Sequence, residues 1–199
     1  MNKILFVITL SLLLLTSCSV FSPVKVGQET TYVINTLPSA PQKKSMRHVT
    51  LLVTSPEINA LYRTREIAYT TSPYQIAYFS KNAWAERPSE MIYPLLIQTL
   101  QNTHYFHAVV TTSVPTNYDY VLNTQIQELL QDYTHPTGLL YLTVRAQLIR
   151  TATNRVIATK VVTLVEPFPQ KTPFAGVVAA NHATADMLQQ LALFCIRSI

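Results

Sequence analysis

The chain has 199 residues, with 15 Lys and Arg against 10 Asp and Glu, and is 48% hydrophobic. That is too apolar for a disordered chain, and no basic run exceeds Lys43-Lys44, so nothing marks it as a nucleic-acid binder. Its three glycines, Gly27, Gly138 and Gly176, cannot form either glycine-rich phosphate loop, which excludes Walker-type ATP binding.

Met1-Asn2-Lys3 is a short positive segment, followed at residues 4–15 by an apolar run broken only by Thr9 and Ser11. This is the layout of a secretory signal peptide, and the run is shorter than the roughly 20 apolar residues a membrane span needs. Leu15-Thr16-Ser17-Cys18 has the form of a bacterial lipobox, in which the Cys18 thiol is diacylated and becomes the new N-terminus. Ser19 follows it rather than Asp, and in the enterobacterial sorting pattern that this resembles, that favours the periplasmic face of the outer membrane. Two or more acyl chains give stable anchoring where one does not. Residues 1–17 are thus expected to be removed, and residues 18–29 to form a lipidated tether. Residues 30–199 are expected to form one domain, large enough for a proper core.

The tether SVFSPVKVGQE, residues 19–29, could hold that domain up to roughly 35 Å from the bilayer. Residues 31–37 (TYVINTL) read as a first strand and residues 38–47 as a loop. Residues 48–55 (HVTLLVTS) read as a strand buried on both faces. Two strand-like pieces follow at 66–69 and 75–79, with Thr71-Ser72-Pro73 as the turn between them and Trp84 in the loop beyond. Ser89 is suited to N-cap a helix to about residue 101, with Met91, Leu95, Leu96, Thr99 and Leu100 on one face. Pro94 either sits within the first turn of this helix or marks its true start one turn later.

Residues 106–111 read as a short strand and 114–119 as a turn. Residues 120–131 alternate imperfectly. Leu140, Leu142, Val144, Ala146 and Leu148 alternate cleanly with Tyr141, Thr143, Arg145 and Gln147. Asn154 suits a positive φ in the next turn, and residues 156–165 make a third strand. Thr172-Pro173 pairs an N-cap with the first helical position of a last helix to about residue 197. Its inward stripe reads as Phe174, Val177, Val178, Ala185, Leu188, Leu191, Ala192 and Cys195. The expected fold is α+β, a single mainly antiparallel sheet with two main helices packed on one face.

The order Leu61-Tyr62, Arg65 to Tyr69, Gln75 to Tyr78 and Asn82 to Pro88 resembles the ABC-type transport auxiliary lipoproteins, the PqiC-like family. The most specific piece is Trp84-Ala85-Glu86 with Pro88, and Ala83 stands where that family usually carries Arg. The resemblance implies a role in moving lipid across the bacterial envelope, beside an ABC permease and an MCE-domain periplasmic partner. The ATPase would be a separate subunit.

Chemistry-bearing residues are sparse. His104 and His107 have an H-x-x-H spacing without the carboxylate or thiolate that would complete a zinc site. Glu86 and Glu90 read as charges at a helix N-terminus. No G-x-S-x-G elbow occurs, although triads are assembled in space and a hydrolase stays open on that ground. Cys195 has no disulfide partner once Cys18 is acylated, and reads as a buried thiol. The chain is therefore expected to be no enzyme, with no catalytic, cofactor or metal site. Trp84 either packs over the core or, with Tyr74, Tyr78 and Phe79, meets a partner or lipid. Trp84, Tyr78 and Phe79 are the contact residues chosen here, and homo-oligomerisation is left open. An envelope lipoprotein that activates or assembles cell-wall, lipopolysaccharide or secretion machinery is the rival reading.

Overall fold

A computed structural model describes residues 29–39, 45–112 and 117–199. The signal peptide, Cys18 and nearly all of the tether lie outside the described residues, as do parts of the loops expected at 38–47 and 114–119. The described chain forms strands β1 (Thr30–Tyr32), β2 (Arg47–Val53), β3 (Glu57–Ile58), β4 (Glu66–Thr70) and β5 (Ala77–Trp84), then helix α1 (Pro88–Asn102). Strands β6 (Phe106–Thr111), β7 (Tyr120–Asp132), β8 (Gly138–Arg150) and β9 (Arg155–Phe168) follow, and helix α2 (Pro173–Ser198) closes the chain.

The long meander β7–β8–β9 carries the core. Along β8 every second residue from Leu140 to Leu148 is buried and the residues between are half-buried, so one face of the sheet looks inward. The register aligns Leu129, Leu142 and Leu164 across the three strands, and likewise Ile126, Val144 and Val162. In β7 the pairing slips between Ile126 and Glu128. This one-residue bulge moves the inward positions from even numbers (Leu122, Thr124, Ile126) to odd ones (Leu129, Gln131), and it explains the imperfect alternation of that strand.

The other edge of β7 is divided among three parallel partners. β2 pairs with residues Tyr120 to Leu122, β3 with Gln125 and Ile126, and β4 with Gln131 and Asp132. Beyond β2 lies β6, and beyond β4 lie β5 and then β1. The nine-stranded sheet is therefore mixed, not mainly antiparallel: five pairings are parallel and three antiparallel. The parallel pairs arise because β2 and β6 are joined across α1 and because β2 to β4 each meet β7 through long connections. The α+β class stands.

α2 packs on β8, β9 and β7, while α1 packs on β6 and against α2. Both feed a single core with Leu51, Val53, Leu142 and Leu148. α1 begins at Pro88 after Arg87, not at Ser89, and it runs straight through Pro94. Pro94 lies on the exposed side, so the carbonyl of Glu90 that loses its partner there is not shut into the core. α2 starts as expected, with Thr172 Oγ1 accepting from the Ala175 amide at 3.2 Å. Asn154 has the expected positive φ, 49°.

Three expectations are corrected. The first strand stops at Tyr32, and residues 33–37 continue as irregular chain held by α2. Trp84 is the last residue of β5, not part of a loop. Phe174 and Val178 do not face inward: they are 59% and 39% exposed. Among the described residues no helix is long and apolar enough to cross a membrane.

Candidate partner-contact surface

The stretch from Leu61 to Pro88 turns a hairpin into a helix, and its aromatic residues divide between three environments. Trp84 belongs to the core. Its amide donates to the Arg65 carbonyl at 2.7 Å, and Arg65 Nε donates back to the Trp84 carbonyl at 3.0 Å. β1 runs parallel alongside and opposes Tyr32 to Trp84, and the Ala85 amide donates to the Tyr32 carbonyl at 2.7 Å. Held on both sides, the indole is 2% exposed. It therefore packs in the core and, contrary to the expected contact role, offers no surface to a partner.

Phe79 stacks on Tyr69 with ring centroids 4.1 Å apart and meets Tyr133 edge-on at 6.2 Å. Tyr133 in turn meets Phe168 at 5.5 Å, so Phe79 belongs to a half-buried aromatic cluster near the start of α2. Tyr78, on the opposite face of β5, donates its hydroxyl to the Leu61 carbonyl at 2.9 Å. Trp84, Phe79 and Tyr78 thus do not make one patch.

An exposed apolar surface lies one turn away. Tyr74 is fully exposed and has φ 63°, a left-handed conformation that is an outlier for a bulky residue. Thr70 Oγ1, bonded to the Ser72 carbonyl at 2.7 Å, shapes the turn that presents it. Leu61, 47% exposed, lies across a shallow apolar depression of about 520 Å³ shared with Tyr62, Ile76 and Leu130. Burial, and then the Glu128 carboxylate and Tyr78, push the Tyr62 hydroxyl up to about 12, so it stays protonated beside this depression. Leu61 was legible only as part of the family pattern, and nothing in its own neighbours marks it as exposed.

A second, polar cleft of about 660 Å³ opens where the partner of β7 changes. It is lined by Glu57, Asn59, Arg63, Gln125 and Gln127 together with Arg87 and Glu90. Glu90 is engaged there: it accepts from the Arg87 amide at 3.2 Å and from its guanidinium at 3.4 Å, so it caps α1, while Glu86 stays exposed. His104 and His107 are both exposed, and the His48 ring lies 6.1 Å from that of His107 by centroid. Among the described residues no three His, Cys, Asp or Glu side chains gather as metal ligands. Cys195 is fully buried on α2, and burial pushes its thiol up to about 12.

The family model described as ABC-type transport auxiliary lipoprotein component matches residues 32–192, from the end of β1 to the last turns of α2. The chain belongs to this family. The fold of this auxiliary lipoprotein component is also similar to that of solved proteins. Protein XCC0632 from Xanthomonas campestris superposes with a TM-score of 0.78 at 17% identity, over 85% of this chain and 96% of that one. An uncharacterised protein superposes at 0.65 with 15% identity, over 84% and 99%. No curated protein sequence matches. For an auxiliary lipoprotein component, the W-A-E-x-P signature has a structural meaning here. Trp84 locks the end of β5, Pro88 opens α1, and Arg87 with Glu90 closes the cap between them.

Proposed function

We propose that this chain is a non-catalytic accessory of an ABC transport system that moves lipid across the bacterial envelope. Acylated Cys18 holds it at the periplasmic face of the outer membrane. The domain docks onto a periplasm-spanning MCE-domain protein through the apolar surface around Tyr74 and Leu61.

The observation that carries the reading is Tyr74. A fully exposed aromatic in a left-handed turn costs about 1–3 kcal/mol of backbone strain, and such strain concentrates at ligand clamps and switch regions. Beside it, Leu61 and the apolar depression offer the pocket that interface anchors fill. The turn stands on the stacked Tyr69–Phe79 pair, so the surface is carried by a rigid base. The family description adds the association with an ABC transporter.

The test is recovery of envelope partners with the tagged, acylated chain from mild detergent. The parent is expected to bring down an MCE-domain protein, and Tyr74→Ser with Leu61→Ser is expected to lose it while melting like the parent. Equal recovery from the variant moves the contact elsewhere. Recovery of cell-wall or secretion components in place of an MCE protein overturns the transport reading. Loss of outer-membrane flotation in Cys18→Ala checks the anchor separately.

A further inference from the structure

The outward stripe of α2 changes character along its length. Phe174 and Val178 are exposed in its first two turns, and His182, Asp186 and Gln189 continue the same stripe as polar residues. Val33, 48% exposed, is brought to the apolar end because Asn181 Nδ2 donates to its carbonyl at 3.0 Å. Between them lies a shallow groove of about 410 Å³, closed on one side by Tyr32, whose ring centroid is 6.1 Å from that of Phe174. Among the described residues nothing covers these three apolar side chains, and they lie next to where the described chain begins, at residue 29.

This position decides the occupant. Cys18 lies eleven residues before Glu29 and fifteen before Val33, so an acylated Cys18 keeps a bilayer within roughly 35 Å of Glu29 and roughly 50 Å of Val33 at all times. Tethering turns the meeting of patch and membrane into an intramolecular event, with an effective concentration set by linker length. An aromatic ring with two aliphatic side chains and a polar border is the composition that settles at a headgroup–acyl boundary. The charges beside it are few. Lys171 is exposed three residues before Phe174, and the Glu166 carboxylate lies 3.6 Å from His182 Nδ1.

We propose that Val33, Phe174 and Val178 form a foot that rests in the phospholipid headgroup layer of the membrane to which Cys18 is anchored. The foot fixes which side of the domain faces the bilayer, so the Tyr74 surface is presented in a defined direction. The proposal rests on the reading of Cys18 as acylated, and the experiment separates the two.

Acylated Phe174→Trp is reconstituted into phosphatidylethanolamine–phosphatidylglycerol vesicles containing brominated acyl chains. Trp84, buried in parent and variant alike, serves as the internal control. Flotation reads the anchor, and fluorescence quenching reads the foot. The floated variant is expected to be quenched several-fold more than the parent, and adding Val178→Glu is expected to reverse this. A floated variant quenched no more than the parent overturns the foot while leaving the anchor. A new tryptophan shielded from acrylamide without vesicles also overturns it, because residues 19–28 or a second copy then cover the groove. A chain that does not float removes the anchor and the foot together. Val178→Trp reports on the same surface should Phe174→Trp fail to fold.

Discussion

Asn181 holds Thr36 twice through one oxygen: Oδ1 accepts the Thr36 amide at 3.2 Å and its hydroxyl at 2.9 Å. The same oxygen takes the Asn35 amide at 3.0 Å, while Nδ2 donates to the Val33 carbonyl. One side chain on the last helix thus satisfies the backbone of a segment almost 150 residues earlier, where no strand partner exists. Asn181→Ala is expected to lower stability by about 1 kcal/mol, the net contribution of hydrogen bonds that water can partly replace. Urea unfolding measures it. Amide exchange at Asn35 and Thr36 should quicken far more than in β8, and equal exchange at both places would show that the clamp holds nothing.

Gly176 makes the second expectation, one of reversed sign. In an exposed helix, Gly→Ala stabilises by about 1 kcal/mol. Here a Cβ on Gly176 would run into the side chain of buried Gln131, which donates to the Pro173 carbonyl and accepts from Tyr133. Gly176→Ala should therefore lower the melting temperature. A rise would mean that Gln131 moves aside freely.

The antiparallel meander was legible because β8 has one wet and one dry face, and alternation reports that difference directly. Strand neighbours were not. Composition says that β2 and β4 are strands, but nothing local tells that both meet β7 in parallel. The helical stripe of α2 was legible as apolar, and Val177, Leu188, Leu191 and Cys195 are buried as read. Phe174 and Val178 share that character, yet they lie on its outward side, where no sheet covers them. Of the contact residues chosen from sequence, Trp84 went to the core because β1 closes over the end of β5, a long-range pairing with no local signal.

Trp84 is therefore a core probe. Its emission should be that of a dry indole, with little quenching by acrylamide in the native state and full quenching in urea. Trp84→Ala should cost about 3–5 kcal/mol. A spectrum typical of water-exposed tryptophan would contradict its burial.

Alkaline pH should loosen the fold in a stated window. Burial raises the Cys195 thiol from an ordinary 9.0 to about 12, and the Tyr62 hydroxyl from 10.0 to about 12. Burial raises Tyr133 too, with Tyr69 adding to it. The native state then keeps protons that the unfolded chain releases, so stability is full below pH 9 and falls as pH climbs towards 12. Urea midpoints taken from pH 8 to 11 should decline. In Cys195→Ala the decline should begin about one unit later, where the tyrosines take over. An unchanged onset would remove Cys195 from the effect.

The divided edge of β7 sets an order of assembly. Synthesis delivers β1 to β6 before residue 120 exists, and they can form only two separate pieces, β2 with β6 and β4 with β5 and β1. Each piece keeps an open edge facing the place β7 will take, and such edges invite pairing with other chains. One strand then closes both. Because those closures join distant residues, folding is slow in the way non-local β pairing is slow. A chain cut short before Tyr120 should accordingly gather into aggregates, not merely fold less well.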